Sequence, residues 1–278
     1  MKSKLPHQYN LFQRFRQLPE AWYNPGMTPR TFFVTLLQLG LAGVVLLLSH
    51  YNYTWIAVFL VLVPTAVTWF YGGRDRDAWL AGTPSAVVGL SVAVLIGLNH
   101  QPLGQPVFPV LAQLVLTILY AAWLIWLRQL RRRHQASIWA LGLQQLAAIS
   151  AIFLATAFWH WPQTLGMVLM WVVVFVTTLW YMRAVGERAA AILAAAWALV
   201  ATELSWILSA WQVIYVQGSY LIVPQATVVI LGVGYCFASI HASHTQKRLS
   251  RRRLIEYVAI AGVLLAIVIT GTRWNGTS

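Results

Sequence analysis

The sequence predicts an all-α protein, a polytopic transmembrane helix bundle of nine spans with its N-terminus inside and its C-terminus outside. Three observations predict it. The 278 residues are 59% hydrophobic and only 9% charged, where a soluble domain carries about a quarter charged residues. The apolar residues fall into nine runs of spanning length. The basic residues fall on alternate connections between those runs.

A span needs about 20 mostly apolar residues. The candidates are Thr31–Ser49, Tyr53–Tyr71, Thr83–Leu98, Val107–Leu127, Ile138–Trp159, Leu165–Tyr181, Ala189–Trp211, Tyr220–Ala238 and Leu254–Thr272. The third is short and the weakest of the nine. The first run begins after a polar, basic stretch and lacks a small-residue cleavage site behind it, so it is expected to be a permanent helix. Residues 1–30 then read as a cytoplasmic basic amphipathic arm, 31–272 as one transmembrane domain, and 273–278 as a short external tail. In the arm, Leu11, Phe12, Phe15, Leu18 and Trp22 recur at helical spacing, which suits a surface helix lying on the bilayer.

Lys and Arg collect on the cytoplasmic side of membrane proteins. With nine spans, 18 of the 19 fall on one side: Lys2, Lys4, Arg14, Arg16 and Arg30; Arg74 and Arg76; Arg128 and Arg131 to Arg133; Arg183 and Arg188; Lys247, Arg248 and Arg251 to Arg253. Only Arg273 falls on the other. One span more or fewer in the middle would scramble this pattern. The net charge of +13 is therefore read as topology control and attraction to anionic headgroups at the cytoplasmic face. Nucleic acid is not an expected partner, because no connection is long enough to fold as a soluble domain with a basic face. The expected location is the plasma or inner membrane. The single cysteine, Cys236, lies in an apolar run. Most of the 15 Trp, Trp123 among them, sit near predicted span ends and read as an aromatic belt; Trp171, Trp197 and Trp206 lie deeper and read as packing residues.

Glu203 is the one charged side chain placed deep inside a predicted span. Counted from Ala189 it stands about 21 Å up at 1.5 Å per residue. An ionised carboxylate there costs at least about 2.5 kcal/mol on insertion scales. No Lys, Arg or His shares its depth. The expectation is a protonated acid facing the bundle interior, bonded to Gln225 or Gln113 at similar depth. Polar Thr202, Ser205 and Ser209 on the other side of the helix argue that it is central. A proton or cation site is the sharper alternative. Gln38, Gln144 and Gln145 are expected to bond between helices, at about 0.6 kcal/mol each. Pro64, Pro109 and Pro224 fall in predicted spans and can kink them.

Two further constellations stand out. His50, His100 and His160 end odd-numbered spans on the outer side, but they come from separate hairpins with no acid among them, so interfacial histidines are expected rather than a metal site. Asp75 and Asp77 lie in a cytoplasmic loop. Membrane prenyltransferases share the nine-span, N-in topology and hold magnesium diphosphate on loop carboxylates. This chain lacks their spaced Asn-Asp and Asp motifs, and its sixth-to-seventh loop offers only Glu187. Alternating charges neutralising one another is the simpler reading.

The stretch Arg251-Arg-Arg-Leu-Ile-Glu256-Tyr257, an apolar run, then Arg273-Trp274 resembles the C-terminal end of uncharacterised polytopic membrane proteins of ultra-small bacteria. The resemblance implies an inner-membrane location and no activity. The residues themselves predict a Glu256 pair with Arg252 or Arg253.

The leading expectation is a non-enzymatic membrane component without a cofactor, acting through partners or lipids. The rivals are a small-solute or proton/cation-coupled transporter centred on Glu203, and a prenyltransferase-like enzyme.

Overall fold

The computed structural model describes residues 29–71, 78–98, 110–132, 137–209, 224–245 and 250–271. The predicted arm up to residue 28 and the predicted tail lie outside them, as do Asp75, Asp77 and His100. The described residues form nine helices and no strand. They are α1 Pro29–His50, α2 Thr54–Tyr71, α3 Ala78–Gly97, α4 Val110–Arg132, α5 Ile138–Phe158, α6 Gln163–Ala184, α7 Ala190–Ser209, α8 Gln225–Thr245 and α9 Arg251–Gly271. Each matches one predicted run. Helix is the form expected of such sequences, because it satisfies every backbone polar group within the segment. Five stretches are long and apolar enough to cross a bilayer: Val110–Leu127, Ile138–Phe158, Gln163–Ala184, Ala190–Ser209 and Ala226–His244. These fit a membrane protein. Shorter apolar helices, Leu39–His50, Gly82–Gly97 and Leu254–Val263, lie within α1, α3 and α9.

Neighbouring helices α2 and α3, and α6 and α7, run antiparallel. Gln163 at the start of α6 donates to Ser209 at the end of α7, 2.6 Å away. Gly97, at the end of α3, stands against Thr54, at the start of α2. His50, ending α1, meets Gln113 in the first turn of α4. One end of the bundle therefore gathers the α1–α2 turn, the end of α3 and the start of α4. At the end opposite the Gln163–Ser209 contact, the α6–α7 connection touches the C-terminal part of α8 through Glu187 and His241.

The core has two parts joined by α3 and α5. Val88, Val92 and Ile96 of α3 pack with Ala42 of α1 and Tyr120, Trp123 and Leu124 of α4. Ile149 and Phe153 of α5 pack with Met170, Val174, Trp197, Ala198, Val229 and Ile230 of α6, α7 and α8. Leu95 and Leu98 meet Ala112, Ala151 and Leu154 between the two parts. In a bilayer such packing acts through van der Waals contact, because lipid tails are as apolar as the side chains.

The third run, weakest in the sequence, forms the hub. α3 touches α1, α2, α4, α5 and α6. It is five residues longer at its start than Thr83 predicts, so Pro84 falls inside it. Its Gly, Ala, Ser and Thr lower its hydropathy and let neighbours approach closely. A Cβ on Gly89 would stand 2.7 Å from Val61 Cγ1 and 2.5 Å from Tyr120 Oη. α7, read as central, is peripheral instead: its main neighbours are α6 and α8. The eighth helix is shifted toward the C-terminus relative to its predicted run, and Pro224 precedes it rather than lying within it.

Trp123 is corrected as well. It is buried, and its Nε1 donates to the Pro84 carbonyl oxygen at 3.2 Å, which makes it a core residue and not a belt residue. Of the three deeper tryptophans only Trp197 is buried, stacked on Phe237 with centroids 5.5 Å apart. Gln145 bonds between helices as expected, donating to Thr178 at 3.1 Å. Gln144 instead donates to Ala140 of its own helix.

Candidate functional site

Glu203 is exposed on the outward face of α7. The buried face of that helix is Ala194, Trp197, Ala198, Ala201, Ser205 and Leu208, packed toward α6 and α8. The outward face repeats at helical spacing: Ile192, Leu199, Val200, Glu203, Trp206 and Ile207. Leu199 is 57% and Trp206 60% exposed. Among the described residues Glu203 has no hydrogen-bond or ion-pair partner. The expected inward orientation is thus overturned.

Thr202 Oγ1 donates to the Ala198 carbonyl oxygen at 2.8 Å, and Ser209 Oγ donates to that of Trp206 at 2.7 Å. Ser209 also accepts from Gln163 of α6, and Ser205 is buried. The hydroxyl side is therefore the packed side of α7, and the opposite side, with Glu203, is left outward.

Of the two amides expected beside Glu203, Gln113 is engaged elsewhere. Gln113 is buried, and its Oε1 lies 3.0 Å from His50 Nδ1. Gln225 is the first residue of α8, and its side chain lies outside the described residues. The structure brings together two candidates from different expectations, the outer histidine of α1 and the amide of α4. His160 is exposed in the α5–α6 connection with φ +51°, a left-handed conformation that His adopts more readily than most residues. Its place is explained by the turn. Among the described residues no three His, Cys, Asp or Glu side chains form a group that could hold a metal ion.

Glu187 is engaged. Its Oε1 accepts from the Ala189 backbone N–H at 3.2 Å, and its Oε2 lies 3.1 Å from His241 Nε2. The Ala189 bond holds its carboxyl below the usual range, helped by the His241 charge against partial desolvation. Glu256 pairs with Arg252 at 3.3 Å on an exposed face, as helical spacing predicts.

A cavity of about 400 Å³ lies between α5 and α8, lined by Trp139, Gly142, Gln145, Gly232 and Tyr235 among others. Glu203 is not part of its wall.

No family model, curated protein or solved structure matches this chain.

Proposed function

We propose that the chain is a nine-span, N-in membrane protein of the inner membrane that acts without catalysis, by binding a partner protein along the outward face of α7. The carrying observation is the exposure of Glu203 within an apolar stripe. Exposed apolar side chains are ordinary where a helix meets lipid. An exposed acid among them is not, because an ionised carboxylate at that depth costs at least about 2.5 kcal/mol. A partner span that brings a cation to Glu203 removes this cost. A second copy offers no such group, since no Lys, Arg or His of this chain shares the depth of Glu203. The proposed partner is a transmembrane helix of another protein carrying a Lys or Arg near its middle.

The nine-span reading is supported by the one-to-one match of nine helices to nine runs and by the one-sided basic connections. Cysteines introduced at Gly104 and Gly218 are expected to label from outside, and one at Gln129 is not. Labelling of Gln129 from outside would contradict it.

The partner reading is tested by purifying the chain and its Glu203→Gln and Glu203→Leu variants from native membranes under mild detergent. One stoichiometric companion with a basic residue in a span should accompany the parent chain and be lost with Glu203→Leu. Replacing its basic residue by Glu should break the complex, and Glu203→Lys should then restore it. A companion retained equally by all variants would overturn the reading.

A further inference from the structure

Of the three tryptophans placed deep in the predicted spans, two have a ring partner. Trp171 stacks on Phe175 with centroids 5.2 Å apart, and Trp197 stacks on Phe237. Trp206 makes no ring contact among the described residues, and it is 60% exposed. It stands three residues after Glu203 on the outward face of α7. Residues at that spacing are neighbours on a helix, with Cβ atoms about 5–6 Å apart. Long side chains on a helix lean over the preceding turn, which for Trp206 is the turn that carries Glu203. Among the described residues, an acid without a partner and an indole without a ring partner thus share one spot on the same face.

The rest of the face extends this spot into a seam. Ile192, Ala196, Leu199, Glu203 and Trp206 are all exposed and follow one another at intervals of four, three, four and three residues. That spacing is the heptad seam along which one helix packs against another in the left-handed crossing common in membrane bundles. A single partner helix laid along it meets Glu203 and Trp206 together. The cation it brings is then received by two groups at once, and their chemistry discriminates. A guanidinium is planar: its edge N–H groups reach a carboxylate while its face lies on an indole. An ammonium is a point charge with no face to stack.

We propose that Glu203 and Trp206 form a receptor for a guanidinium, so that the basic residue of the partner helix is an arginine and Trp206 is the residue that selects it. This receptor rests on the partner reading of α7, which by itself admits lysine or arginine.

Synthetic transmembrane helices test it. Three Leu-Ala host peptides, identical except for Arg, Lys or Gln near the middle, are titrated into phosphatidylcholine vesicles holding the full chain. Binding is read by energy transfer from the chain's tryptophans to a dansyl group on the peptide. The Arg peptide should bind about fivefold or more tightly than the Lys peptide, with the Gln peptide weakest. Glu203→Gln should bring the Arg and Lys peptides down to the Gln peptide. Trp206→Leu should weaken Arg binding about tenfold and Lys binding about twofold, which removes most of the preference. Trp206→Phe keeps an aromatic face and should retain part of it. Trp206 is exposed, so neither variant opens the core, and both should melt as the parent does. Arg and Lys peptides bound equally, and both lost with Glu203→Gln, would overturn the guanidinium receptor and leave the partner reading standing. Arg and Lys peptides bound no better than the Gln peptide would overturn both. An Arg preference that ignores Trp206→Leu would overturn the role of Trp206.

Discussion

His50 and Gln113 lie 63 residues apart in sequence and meet at 3.0 Å, Nδ1 of the imidazole donating to Oε1 of the amide. The contact ties the end of α1 to the first turn of α4, two helices that also pack along their length. Gln113 is 2% exposed, so its amide has little access to water. Hydrogen bonds between membrane helices average about 0.6 kcal/mol and reach about 1.7. Replacing Gln113 by Leu and His50 by Phe, singly and together, should give a coupling energy in that range in a double-mutant cycle read by unfolding in detergent. Additive effects would mean that the contact contributes nothing.

Helix α3 makes a second prediction. A Cβ on Gly97 would collide with the Thr54 side chain, and one on Gly89 would press on Tyr120 and Val61. Tyr120 and Val61 are buried and have little room to yield. Overpacking of this kind costs about 1–3 kcal/mol. Gly89→Ala and Gly97→Ala should each lower thermal stability in detergent by that order, whereas Gly142→Ala should leave it unchanged. Equal melting of all three would show that α3 is not the hub.

The Glu187–His241 pair predicts a response to acid. The Glu187 carboxyl titrates below its ordinary value of 4.5, first because of the Ala189 N–H and then because of His241. A carboxyl with a lowered folded-state value contributes stability that is fully present above the unfolded value and is lost as the pH falls through the folded one. The parent chain should therefore melt higher than Glu187→Gln at neutral pH, by a small margin because the group is near solvent. The difference should shrink below about pH 4.5 and vanish in stronger acid. A gap that stays constant down to pH 2 would contradict the assignment.

The number and order of the helices were legible in the sequence because apolar runs and one-sided basic connections reinforce each other. Hydropathy misjudged α3, since the small residues that make it central also make it look like a poor span. Facing was the least legible property. Membrane helices such as α7 are apolar all round, so no amphipathic stripe separates the lipid side from the protein side. Polar groups stand on both sides of α7, but only the hydroxyl side packs: Ser205 is buried and Ser209 accepts from Gln163 of α6. Glu203 was recognisable as unusual from its depth alone, but its direction depends on Ala194, Ala198 and Ala201, whose small side chains let α7 lie close to its neighbours on the opposite side. The α5–α8 groove was not foreseen. Its signal, Gly142 and Gly232 lining one space, appears only once the two helices are paired.

The outward face of α7 is tested most directly by a photoreactive amino acid at Leu199, one turn from Glu203 on the same stripe, irradiated in intact native membranes. The account predicts one discrete protein adduct of defined mass, whose companion carries a basic residue in a span and which disappears when Glu203→Leu is added. The same probe at Val168, exposed on α6, should give no such adduct. Adducts to lipid alone, to a second copy of this chain, or to a protein whose yield ignores Glu203→Leu would contradict it.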